Sequence, residues 1–240
     1  MQLSTVKTRY STKFSYIKDT HEGDCLKHYG EYKQKEINLL ALLLSNNVGD
    51  TFVYDVGAGI GTRTVALSKM AAVIAFEHDE DKLKVLKMNT QGKIAPNVMI
   101  VPKSLETTDP HAKDIPNLDG QLMQLPEPTL VCISGDSTRV LRGMTATMML
   151  IKPVIYIDIA NTEDISYQYS ILVERGYKMY WYSCPGFNLN NFKEKQLNIT
   201  ADSFYMNILA IHEDVDIHDG GIDLPRIDGP NDNWKRFNND

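Results

Sequence analysis

Three glycines at alternate positions, Gly57, Gly59 and Gly61, stand between an apolar run and a helical one. The apolar run, Phe52–Val56, has the length and residue types of a buried strand and carries Asp55 inside it. Thr62 opens a helical pattern that reaches about Met70, and a second apolar run, Val73–Phe76, ends on Glu77. The order is strand, glycine turn, helix, strand, acid. A strand that turns sharply into a helix needs residues without a Cβ, both for positive φ and for close approach of a ligand. The helix that follows points its free N–H groups and positive dipole end at whatever sits over the turn. A carboxylate at the end of the next strand can accept hydrogen bonds from a ribose diol. The stretch therefore predicts a pocket for a nucleoside-containing ligand at the carboxyl ends of parallel strands.

The spacing narrows the ligand. A dinucleotide fingerprint wants glycine at its first, third and sixth positions. Here the sixth position is Thr62, and the third glycine comes one place early. Asp55 would repel a diphosphate but attract the ammonium of a methionine moiety. Asp-x-Gly-x-Gly-x-Gly with an acid on the next strand resembles the S-adenosylmethionine (SAM) site of class I methyltransferases. Two other readings stay open at this point: glycines kept for packing alone, and a dinucleotide site.

Length and charge bound the rest. A chain of 240 residues with 42% apolar content buries a full α/β core. The net charge of −6 argues against a nucleic-acid partner held by phosphate contacts. Cys25, Cys132 and Cys184 form no CxxC pair, so no disulfide framework or zinc site is signalled. The N-terminus has no apolar h-region and no run has the length of a membrane span, which predicts a cytoplasmic setting without a membrane partner. No metal site is expected. His21, Glu22, Asp24 and His28 read as a polar loop leading into a helix. The run from His212 to Asp219 reads as a solvated acidic tail.

Along the chain, residues 1–30 are expected to form an arm or helical cap, and 31–212 the catalytic domain. The tail, 213–240, is too polar to bury much and is expected to be extended or mobile. Helical patterns cover 31–44, 79–91, 137–149 and 162–175, with Thr162 as an N-cap. Further strands are expected at 98–101, 130–133, 154–159, 177–182 and 204–211, with loops at 106–128 and 184–196. This alternation predicts a doubly wound, seven-stranded, mostly parallel sheet of Rossmann-like α/β type.

Taken in order, these blocks resemble the FkbM-type methyltransferases, a class I group that mostly methylates hydroxyl oxygens. The likeness covers roughly Tyr32 to Ile211. It rests on Tyr32 with Glu36, YDVGAGIGTRTVAL, VIAFEHDEDKLKVLKMN, IPNLDGQLMQLPEPTLV, VLRGM, KPVIYIDI, GYKMYWYS, Asn191–Phe192 and SFYMNILAI. The resemblance implies SAM as cofactor and a small hydroxyl-bearing acceptor, sugars among the candidates. Asp55, Gly57, Ala58, Gly59 and Gly61 would line the methionine end. Glu77 would bind the ribose hydroxyls, with His78 beside it in place of the family's usual proline. Ser104 would lie near the adenine, and Glu36 would close the pocket from the side.

One block departs from the family. Where the family has an acidic iDvEGaE segment after the fourth strand, this chain reads VCISGDS. Cys132, Ser134 and Ser137 replace three carboxylates. Asp136 and Asp158 are the remaining candidates for the general base that a hydroxyl acceptor benefits from. The alternative is a methyltransferase fold that binds SAM or a partner without turnover.

Overall fold

The computed structural model describes residues 1–45, 50–105, 117–122, 124–159, 165–215 and 223–234. The chain divides into two compact units, Met1–Lys103 with Cys184–Phe204, and Ser104–Ser183 with Tyr205–Asp240.

The first unit opens with a hairpin, β1 (Leu3–Val6) antiparallel to β2 (Phe14–Ile17), followed by α1 (His21–Tyr29) and α2 (Gln34–Ser45). The expected polar stretch around His21 is therefore itself helical. Thr20 caps α1 by accepting from the Gly23 N–H, and Gly30 ends it in the left-handed region. Then come β3 (Phe52–Val56), α3 (Thr62–Leu67), β4 (Ala72–Phe76), α4 (Glu80–Thr90) and β5 (Val98–Val101). The strands β3, β4 and β5 pair in parallel, with Asp55 opposite Ala75 and Val56 opposite Phe76. Asn89, buried in α4, accepts from the Ser15 N–H and donates to the carbonyls of Ser15 and Ile60. It thereby ties the hairpin to the glycine turn, and Phe14, Tyr16, Leu26, Ile60, Val65 and Val85 pack in one core cluster.

The second unit contains a short α5 (Leu118–Gln121), β6 (Leu130–Ile133), α6 (Ser137–Arg142), β7 (Val154–Ile159), α7 (Ser166–Val173), β8 (Tyr177–Pro185, its last residues in the first unit) and β9 (Phe204–His212). The helix expected over 137–149 breaks at Gly143, and a π-helical turn, Thr147–Ile151, replaces its end. The carboxylate of Asp119 explains the break: it accepts from the Ala146 and Thr147 N–H groups and from the Thr147 hydroxyl. The expected cap Thr162 and most of the 106–128 loop lie outside the described residues. Part of the tail is docked rather than loose. Arg226 bridges to Tyr180, Pro225 and Ile227 bond to the backbone of Trp181 and Met179, and the Ile227 side chain is buried.

The seven strands of the larger sheet follow the order β5-β4-β3-β6-β7-β9-β8, with β9 antiparallel to β7. The fold is thus the expected mostly parallel, seven-stranded α/β sheet. Among the described residues, no helix is long and apolar enough to cross a membrane.

Candidate functional site

The glycine turn of the first unit is held by backbone bonds that leave one side open. The Gly57 and Ala58 N–H groups both donate to the Phe76 carbonyl, and Gly61 N–H donates to the Ala58 carbonyl. Gly57, Gly59 and Gly61 all have φ between 60° and 90°, a region that side chains disfavour. The last two glycines serve different ends. A Cβ on Gly61 would lie 2.7 Å from Leu86 Cδ1 of α4, so this glycine permits close packing. A Cβ on Gly59 would meet nothing within 4 Å, so the space above it is open to a ligand.

Glu77, only 4% exposed, joins the turn to β4. Its Oε2 accepts from the Gly59 N–H at 2.8 Å, and its Oε1 accepts from His78 and Asp79 N–H at 2.9 and 2.8 Å. His78 itself is exposed. The carboxylate is fixed at the lip of the turn, where Oε1 already accepts twice and Oε2 keeps further acceptor capacity.

Asp55 stands differently from the sequence expectation. It is fully buried, its Oδ1 accepts from Arg63 Nε and Nη2 at 2.9 and 2.7 Å, and its Oδ2 accepts from the Thr64 hydroxyl at 2.6 Å. Arg63, rather than a ligand ammonium, is the cation beside this acid. Arg63 also donates to Glu36 at 3.2 Å, and Lys33 lies 3.7 Å from the other Glu36 oxygen. Two acids and two cations thus form a buried, balanced chain from α2 through α3 to β3, and Glu36 is a member of it. The sequence reading missed Arg63 and Lys33. The available signal was a lone charge inside the otherwise uncharged TRTVAL helix. The reading also missed Glu22, which accepts from the Thr62 hydroxyl and sets an acid at the start of α3. With only six residues, α3 has less dipole to offer than the sequence pattern suggested.

Ser104 lies in the second unit, three residues beyond the end of β5. In that unit the two candidate bases also differ. Ile133 pairs with Ile157 across the parallel strands β6 and β7, so Ser134 and Asp158 are the next opposed pair. The Ser134 hydroxyl donates to Asp158 Oδ2. Asp136 instead caps α6, accepting from the Arg139 N–H and pairing with its guanidinium at 2.9 Å. Cys132 is fully buried, and buried Ser137 accepts from Gln168. Neither replacement offers a carboxylate.

No family model and no curated protein matches this chain. Solved structures do match it. Precorrin-6y C5,15-methyltransferase from Geobacter metallireducens is 18% identical, covers 74% of this chain and 87% of its own, and superposes with a TM-score of 0.52. An rRNA methylase from Streptococcus thermophilus is 18% identical, with 74% and 96% covered and a TM-score of 0.50. Magnesium protoporphyrin IX methyltransferase from Synechocystis, crystallised with bound SAH, is 12% identical, with 75% and 83% covered and a TM-score of 0.51. At such identities the likeness shows the fold, which is that of the class I methyltransferases.

Proposed function

We propose that this protein is a SAM-dependent methyltransferase of the FkbM type, acting on a hydroxyl oxygen of a small molecule, with sugars among the candidate acceptors. The observation that carries the reading is the Glu77 carboxylate bonded to the Gly59 N–H beneath open space. A ribose diol needs an acceptor of that kind at the end of the second strand of such a turn. SAM would supply an electrophilic methyl group. Glu77 would hold its ribose, with His78 alongside, and Gly57, Ala58, Gly59 and Gly61 would shape the floor beneath it. Asp55 and Glu36 would act through Arg63 by fixing the guanidinium beside the turn. Ser104 is assigned to the adenine end. We place the protein in a reducing cytoplasm, in keeping with three buried cysteines that form no disulfide with one another.

Asp158 is the favoured general base, since Asp136 is committed to capping α6 and to Arg139. Its carboxylate would accept the acceptor's hydroxyl proton as the oxygen takes the methyl group. Ser134 orients it, replacing one of the family's carboxylates with a hydroxyl. The decisive experiment pairs calorimetric titration with SAH and turnover of labelled SAM in Asp158→Asn. Unchanged SAH binding with activity lower by about 10²–10⁴ supports the assignment. Full activity in Asp158→Asn removes Asp158 as base, and no SAH binding by the wild type removes the cofactor reading.

A second reading has its own support. Cys132, Ser134 and Ser137 leave the edge after β6 poor in carboxylates. A protein that binds SAM without turnover would show SAH binding, yet no methyl loss with any hydroxyl acceptor.

A further inference from the structure

The net charge of −6 conceals a local excess of cations on the first unit. Three separate segments meet at Gly30, the C-terminal cap of α1. A Cβ there would stand 2.7 Å from Phe192 Cδ1, 3.2 Å from the Lys7 carbonyl and 3.3 Å from Lys193 Cε. Lys7 Nζ and the Arg9 guanidinium lie 5.8 and 6.0 Å from the centre of the Phe192 ring. Lys193 reaches across to the Lys27 carbonyl at the end of α1. Lys195 follows two residues later, and Lys7, Arg9, Lys27 and Lys195 are exposed. The acid nearest the centre, Glu31, is buried and already held by Arg9, Asn188 and the Phe192 N–H. Asp24 and Glu194 are the exposed acids on the same segments and leave the cations in the majority. Burial and the neighbouring charge of Lys195 push the Lys193 ammonium below its ordinary range, consistent with uncompensated positive potential.

We infer that this surface binds the phosphodiester backbone of a single-stranded RNA, whose ribose hydroxyl is the methyl acceptor; the second half of that statement rests on the methyltransferase reading above, with the acceptor sugar carried on a polymer in place of a small molecule. Four considerations favour this partner. The cations come from three segments, the arm, the end of α1 and the 190s loop, and their number suits a chain of phosphates rather than a single anion. An aromatic ring lies among them, as is usual where single strands are gripped. RNA, unlike DNA, carries a 2′-hydroxyl, the chemical group that a hydroxyl methyltransferase requires. The surface is also suitably near the cofactor turn. Glu22 at one end of α1 touches Thr62 beside the turn. Gly30 at the other end is about 12 Å away at the rise of a helix, a span that a short oligonucleotide covers.

The test is fluorescence anisotropy with a labelled oligouridylate, for the wild type and for the triple variant Lys7→Glu, Lys27→Glu, Lys195→Glu. All three side chains are exposed, and a thermal melt checks that the variant remains folded. SAH titration of both proteins runs alongside. The wild type is expected to bind the RNA, and the variant to bind it about tenfold or more weaker. The slope of log affinity against log salt is expected to fall by about 2, from three lost phosphate contacts. An oligodeoxyuridylate is expected to bind through the same lysines without accepting a methyl group. The proposal is overturned if the wild type binds no RNA, if the folded variant binds it equally, or if only a polyglutamate competitor occupies the lysines. SAH binding separates the two readings. A protein that binds SAH but not RNA loses this proposal alone. One that binds RNA but not SAH keeps the surface and loses the methyl acceptor.

Discussion

The carboxylate of Glu77 accepts the N–H of Gly59 at 2.8 Å across the glycine turn, so the acid that would hold a ribose also sets the shape of the turn. Binding and preorganisation fall on one side chain. Glu77→Ala is expected to weaken SAM binding by about 1.5–3 kcal/mol, the size of hydrogen bonds to a charged group. It also leaves the Gly59, His78 and Asp79 N–H groups without their acceptor, so the melting temperature should fall as well. Calorimetry well below the melt separates the two effects. Wild-type affinity in Glu77→Ala would remove the cofactor site from this turn.

Arg63 carries a different burden. It joins Asp55 and Glu36, which are 0% and 2% exposed. Arg63→Met would leave buried Asp55 without its cation and Glu36 with Lys33 in place of two cations, and breaking a buried pair costs about 3–5 kcal/mol. Pairing it with Asp55→Asn should recover part of the loss, because a neutral amide no longer needs the cation. Urea unfolding of the single and double variants measures this. A loss below about 1 kcal/mol in Arg63→Met would mean that water, and not the guanidinium, solvates these acids.

The last two glycines of the turn should respond differently to one methyl group. In Gly61→Ala the new Cβ runs into fully buried Leu86, at a φ of +90°. Stability is expected to fall by about 1–3 kcal/mol. In Gly59→Ala the Cβ enters open space, so the strain of its φ is the main structural cost, about 1–2 kcal/mol. SAH affinity should therefore drop more than stability does. Equal SAH affinity in Gly59→Ala and wild type would show that no ligand approaches the turn there.

These contrasts show what the sequence could disclose. Most strands of the sheet were legible because they are short apolar runs bounded by polar residues, and Glu77 because it ends one of them. Asn89 was visible only as the last letter of a familiar block, and its bonds to Ser15 cross 74 positions. The hairpin it holds has strands of four residues, too short for a period to declare itself. The Arg63 chain was hidden for the same reason, since Glu36 lies 27 positions away. The π-helical turn at Thr147 depends on Asp119, 28 positions earlier, so local pattern favoured an unbroken helix. The docking of Ile227 beside β8 likewise has no local signal in a polar tail.

Glu22 gives a prediction in pH. Burial pushes its carboxyl above the ordinary value of 4.5, partly opposed by the hydrogen bond from Thr62 and by Lys33, Lys82 and Arg63. The folded protein therefore holds this proton more tightly than the unfolded chain does. The stability that protonation confers is fully present below pH 4.5 and is lost as pH rises through the elevated folded value. Glu22→Gln keeps a polar partner for the Thr62 hydroxyl but cannot ionise. Its urea midpoint should therefore gain on that of the wild type as pH rises above 4.5. Many carboxylates shift both curves with pH, so only the difference between the two proteins reports on Glu22. A difference that stays constant over this range would place Glu22 in solvent-like surroundings and leave the Thr62 contact as an ordinary cap. A difference that grows with pH would show that the start of α3 is held by an acid kept partly neutral, beside the turn where the cofactor is proposed to bind.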